Sequence, residues 1–110
     1  MDLAIEVKEE NKKSKVILTG EIDAYTAPQL KDVLLPLTKI EAQIVEVDLE
    51  DVNYMDSTGL GIFISALKSS KENNSQLKLI NLQDRVYRLF KITGLNEIID
   101  INAAIKGGSE

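Results

Sequence analysis

The chain has 110 residues, with 13 basic and 18 acidic side chains, a formal charge of −5, and no Cys, His or Trp. That length suits one domain burying about 60–70% of its unfolded surface. The composition excludes disulfides, thiolate or histidine catalysis and HExxH metal sites, and its acidity excludes an electrostatic footprint for nucleic-acid phosphates.

Residues Met1 to Glu10 alternate apolar and charged side chains and lack the basic patch and apolar stretch of a secretion signal. The longest apolar runs, Val33 to Leu37 and Leu60 to Ile64, are five residues each; a spanning helix needs about 20. The expected location is the cytoplasm, without membrane contact.

Leu3, Ile5 and Val7 have the period of two that predicts a half-buried strand. Glu9 to Lys13 reads as a polar turn, and Val16 and Leu18 mark a second strand ending at Thr19-Gly20. The short link predicts an antiparallel hairpin. Thr26-Ala27-Pro28-Gln29 reads as a helix start, with Thr26 as cap and Gln29 at the capping-box position. Leu30, Val33, Leu34 and Leu37 form one helical face, and Pro36 predicts a kink or an early end. Gln43 to Leu49 alternates as a third strand, and Asp51 to Asp56 reads as a loop. A helix with the stripe Leu60, Phe63, Ile64 and Leu67 follows at once and stops near Asn73-Asn74. Leu77 and Leu79 mark a fourth strand. Asp84 is expected to cap a short helix striped by Val86, Leu89 and Phe90 and stopped by Gly94. Glu97 to Ile101 is a last extended segment, and the tail, taken from residue 103, is expected to fray. The alternation predicts a single α/β domain over residues 1–110, with a mixed, mostly parallel sheet, an N-terminal antiparallel hairpin and helices packed on it.

One segment stands out. Ile40 to Leu67 contains six acids, Glu41, Glu46, Asp48, Glu50, Asp51 and Asp56, and no Lys or Arg. Met55-Asp56-Ser57-Thr58-Gly59-Leu60-Gly61 lies in its middle, at a strand–loop–helix junction of the kind that carries sites in open α/β sheets. The plain reading is structural: Asp56 or Ser57 caps the helix, and the glycines fit a tight turn. Against it, each Gly in a first turn costs about 1 kcal/mol relative to Ala and leaves the backbone open to another molecule. Tyr54, Met55 and Ile62 surround Ser57 as either a docking patch or core lining. Ser57 has no His to act as its base, and Lys68 is more than two turns away. Asp48, Asp51 and Asp56 lack calcium-loop spacing, and the glycines do not form a phosphate loop, so no metal or cofactor is expected. A phosphoaspartate receiver would need an acidic pair after the first strand, where Lys8-Glu9-Glu10 precedes a hairpin instead.

Three stretches together resemble the STAS family, and within it the bacterial anti-sigma factor antagonists of the general stress response. They are Gly20 to Pro28 (GEIDAYTAP), Val52 to Gly61 (VNYMDSTGLG) and Arg88 to Leu95 (RLFKITGL). The resemblance implies a binding module rather than an enzyme. Its unphosphorylated form would bind an anti-sigma factor that is also a serine kinase, freeing the sigma factor. The kinase would phosphorylate Ser57, and a metal-dependent serine phosphatase would reverse this. By the same resemblance Asp23 and Asp56 are the flanking acids and Thr58 the neighbouring hydroxyl. The expected partner-binding set is Asp23, Tyr54, Met55, Asp56, Thr58, Gly59, Leu60, Gly61 and Ile62. Two alternatives stay open here: a nucleotide-binding STAS domain, and a structural subunit of a stress-sensing complex.

Overall fold

The computed structural model describes residues 2–103. Strands β1 (Leu3–Glu10) and β2 (Lys13–Ile22) pair antiparallel, from Leu3↔Gly20 to Glu10↔Lys13. The turn is narrower than the polar stretch predicts. Pairing of Glu10 with Lys13 carries the ladder to its end, and Lys12 turns the chain at φ 63°. Helix α1 (Ala27–Thr38) follows, then β3 (Ile44–Met55), α2 (Ser57–Glu72), β4 (Gln76–Leu82), α3 (Asp84–Thr93), a 3₁₀ turn (Leu95–Glu97) and β5 (Asp100–Ala103). The sheet order is β1-β2-β3-β4-β5, parallel from β2 onward. Strands added in one direction by right-handed crossovers place all three helices on one face. That face holds the core: Val16 and Leu18 of β2, Val45, Val47 and Leu49 of β3, and Leu77 and Leu79 of β4 meet Leu30, Leu34, Phe63 and Phe90 from the helices. Phe63 and Phe90 join α2 to α3 edge-on, with centroids 6.0 Å apart. The other face carries Lys15, Glu46, Lys78 and Asp100 in register, with Lys13 3.3 Å from Glu46.

Several expectations change in detail. Both β2 and β3 run further than their alternation suggests. Between Ile17↔Asp48 and Ile22↔Met55, β3 uses two more residues than β2, at two irregularities. Bulges shift the side-chain phase, so Asp51 to Met55 reads as loop although it is strand. Thr26 occupies the N-cap of α1 but makes no side-chain cap bond; its hydroxyl donates to the Glu21 carbonyl at 2.8 Å. Gln29 forms no capping box and donates to the Leu3 carbonyl at 3.0 Å. Pro36 sits in the last turn, and α1 closes at Thr38. Asp84 does not cap α3: Gln83 holds that position, and Asp84 lies in the first turn. Gly94 ends α3 in the left-handed conformation, φ 80°. α2 stops at Glu72 with Asn73 as its C-cap, and Asn74 takes the left-handed conformation expected there, φ 56°. Ala103 belongs to β5, paired with Leu82; the rest of the tail expected to fray, residues 104–110, lies outside the described residues. No helix among the described residues is long and apolar enough to cross a membrane.

Candidate functional site

The last residue of β3 and the first of α2 are separated by Asp56 alone. Its extended backbone, φ −108° and ψ −172°, is the N-cap geometry. A helix start leaves four amides without intrahelical partners. Three of them are engaged. The Asp56 carboxylate accepts from the Thr58 amide at 2.9 Å and the Gly59 amide at 3.1 Å. The Asp56 amide donates to the Ile22 carbonyl at 3.2 Å. The Ser57 amide remains, and the Ser57 side chain is exposed. The cap is therefore Asp56, and Ser57 is free of structural duty.

Gly59 and Gly61 differ in kind. A Cβ at Gly59 would lie 2.6 Å from Ile22 Cγ2 and 2.9 Å from Met55 Cγ. The close packing of α2 on β2 requires its absence. At Gly61 a Cβ would meet nothing within 4 Å. No contact among the described residues calls for that glycine.

Asp23 opens the turn between β2 and α1. Its Oδ1 accepts from the amides of Tyr25 and Thr26, each at 2.9 Å. The Thr26 amide foremost, with the Tyr25 amide and the Thr26 hydroxyl, holds its carboxyl below the usual aspartate range, against a smaller opposing effect of desolvation. The folded-state value is depressed, so the turn's support is present above the unfolded value and lost as pH falls through the folded one. In a carboxyl-carbon NMR titration the Asp23 midpoint is expected below the ordinary aspartate value; a midpoint at or above it would contradict these bonds.

The structure divides the expected partner set. Ser57, Thr58 and Tyr54 are exposed, Tyr54 by 47%, while Asp23, Asp56, Gly61 and Ile62 are half-buried. Met55 and Leu60 belong to the core and Gly59 is buried. These three hold the turn from beneath and are not surface contacts. The choice between docking patch and core lining thus splits: Tyr54 is surface, Met55 is core, and Ile62 is packed against the core at its edge. Ile64, placed on the buried stripe by its spacing, is 46% exposed. It shares the outward side of α2 with Ser57 and Gly61, at i, i+4 and i+7. Tyr25, 83% exposed beside Asp23, also escaped the sequence reading. So did Arg85, which joins Glu21, Asp23, Asn53 and Tyr54 around an open pocket of about 500 Å³. Only the topology brings Arg85 there, so no local pattern could have found it.

Comparison with known proteins places the sequence and the fold. The family model for the STAS domain matches residues 4–107. The anti-sigma-B factor antagonist of Bacillus subtilis is 46% identical over 108 residues, covering 98% of each chain. Among solved structures, an anti-sigma factor antagonist from Mycobacterium paratuberculosis superposes with a TM-score of 0.82 at 22% identity, over 92% of this chain and 86% of its own. The Bacillus cell fate determinant SpoIIAA in its phosphorylated form superposes with a TM-score of 0.71 at 18% identity, over 91% and 92%. With nearly its whole length matched by the family model, the chain belongs to the STAS domain family.

Proposed function

We infer that this chain is a cytoplasmic anti-sigma factor antagonist, a binding protein switched by phosphorylation of Ser57. Unphosphorylated, it binds an anti-sigma factor that is also a serine kinase, and the sigma factor is released. The observation that carries this reading is the start of α2: an exposed serine hydroxyl beside a carboxylate that already occupies the helix amides. In the phosphorylation step Ser57 Oγ bonds to the γ-phosphorus of ATP, the bond to the ADP oxygen breaks, and the hydroxyl proton leaves to a base. On this reading that base is a carboxylate of the kinase, as is usual for phosphoryl transfer to a hydroxyl. Return requires water to bond to the phosphorus as its bond to Ser57 Oγ breaks, so that Oγ regains a proton and inorganic phosphate leaves, the task of a metal-dependent serine phosphatase. The near-full-length identity to a protein named as an anti-sigma-B factor antagonist supports the assignment.

The arrangement of the turn supports a reason why a phosphate there would block docking. Phosphoserine carries about −1.5 to −2 charge. A helix N-terminus ordinarily absorbs such charge. Here Asp56 holds the Thr58 and Gly59 amides, so the phosphate stands outside the turn, next to a carboxylate. Setting that charge against Tyr54 and Ile64 in an interface is unfavourable. The block is local, and backbone chemical shifts far from Ser57 should be alike in the two forms. The direct test is incubation of the chain with its anti-sigma kinase and ATP, followed by mass spectrometry. One phosphate on Ser57 is expected; phosphate on another residue, or none, would refute the reading.

A further inference from the structure

We propose that Arg85 is a specificity-determining residue of the docking surface and pairs with a carboxylate of the partner protein. This rests on the function proposed above and adds the charge that the partner must present.

The pocket of about 500 Å³ has walls of opposite sign. Glu21 and Asp23, at the end of β2, form the negative wall; Arg85, in the first turn of α3, forms the positive one. Tyr54, three residues before Ser57, stands between them with Asn53. Two polar side chains at the β4–α3 junction are engaged within the chain, while Asp84, next to Arg85, is exposed. Asn81 donates to the Asp48 carboxylate at 3.3 Å, and Gln83 donates to the Glu50 carbonyl at 2.8 Å. Both bonds brace the bulged part of β3. Arg85 is exposed and forms no ion pair among the described residues, although two carboxylates line its own pocket. Its planar fork of donors is therefore available, and that fork matches a carboxylate in two parallel bonds.

The acidic wall narrows the choice of anion. A phosphate dianion would meet Glu21 and Asp23 in the same cavity, whereas a singly charged carboxylate flanked by a donor satisfies both walls. The occupant is thus a protein segment bearing an Asp or Glu beside a basic or donor side chain. Arg88, also exposed on α3, does not line the pocket and carries the same charge. It separates a specific pair from a general field effect.

The test is calorimetric binding of the full chain to its anti-sigma kinase at two ionic strengths, using wild type, Arg85→Ala, Arg85→Glu, Arg85→Lys and Arg88→Glu. Arg85→Ala is expected to bind about tenfold more weakly, equivalent to about 1.4 kcal/mol. Arg85→Glu should bind more weakly still, Arg85→Lys should recover part of the loss, and Arg88→Glu should stay near wild type. Wild-type affinity in Arg85→Glu, or an equal loss in Arg88→Glu, would overturn the pairing while leaving the Ser57 assignment intact. Wild-type chain that neither binds the kinase nor takes phosphate would overturn the parent reading, and the pairing with it. Thermal melts of each variant show that a loss of affinity is not a loss of fold.

Discussion

Ser57→Ala folds, binds the anti-sigma kinase and accepts no phosphate. Each part of this expected result has its own cause. The fold survives because the helix is capped by Asp56, whose carboxylate takes both nearby amides, and because the Ser57 side chain is exposed. Alanine is the best helix former, so stability should change by no more than about 0.5 kcal/mol. Binding survives because the hydroxyl is small and the surrounding surface is unchanged. Phosphate uptake is lost because the acceptor oxygen is gone; Thr58, the adjacent hydroxyl, has its amide held by Asp56 and sits one residue further round the helix. Ser57→Asp should fold as well but bind the kinase more weakly, since a like charge set against an interface costs several kcal/mol. A melt, a binding isotherm and a radiolabel assay check the three parts. Wild-type phosphate incorporation into Ser57→Ala would remove the site assignment.

Gly59→Ala and Gly61→Ala should move in opposite directions. At Gly59 the new methyl would press on Ile22 Cγ2 and Met55 Cγ and come 3.1 Å from the Ile22 carbonyl. Overpacking of this kind costs about 1–3 kcal/mol, more than the helix-propensity gain of about 1 kcal/mol returns. The displaced atoms belong to β2 and to the end of β3, so the loss should also disturb the Asp56 cap. At Gly61 the methyl meets open space, and the propensity gain of about 1 kcal/mol stands alone. Gly61→Ala is therefore the more stable chain, with a higher melting temperature. Its partner affinity should fall, because the methyl narrows the strip between Ser57 and Ile64 on which the kinase is proposed to sit. Denaturant melts with a binding isotherm for each variant separate the two glycines. A Gly61→Ala protein that is stabilised and binds unchanged would show that the open backbone at that position serves no contact.

How much of this was legible in the sequence depends on whether the cause was local. The hairpin follows from period-two alternation, and α2 and its end follow from the Asp56 and Asn73 caps, which act within a few residues. The extension of β3 to Met55 was hidden because two bulges break the alternation. Asn81 does the same in β4, adopting φ 61° inside a strand. Thr26 and Gln29 look like a capping pair, but Thr26 finds its acceptor at Glu21, five residues back across the turn, and Gln29 finds its own at Leu3, which only tertiary structure brings near. At the site, the turn could be read from Asp-Ser-Thr-Gly, since its bonds span two and three residues. The face of α2 could not: spacing alone put Ile64 inside, yet the sheet meets α2 through Leu60, Phe63 and Ala66 and leaves Ile64 outside. Arg85 reaches the pocket from a different strand–helix unit, and nothing in its neighbours announces that.

The single bond from the Asp56 amide to the Ile22 carbonyl has a consequence for speed. It fastens the start of α2 to the end of β2, one residue before Asp23, so both acid-bearing turns are set before any partner arrives. A surface held in this way loses little conformational entropy on association, and no loop has to find its shape first. Such a switch has no slow rearrangement of its own. On the function proposed above, its response time would be set by the enzymes that add and remove the phosphate and by how quickly the bound partner lets go.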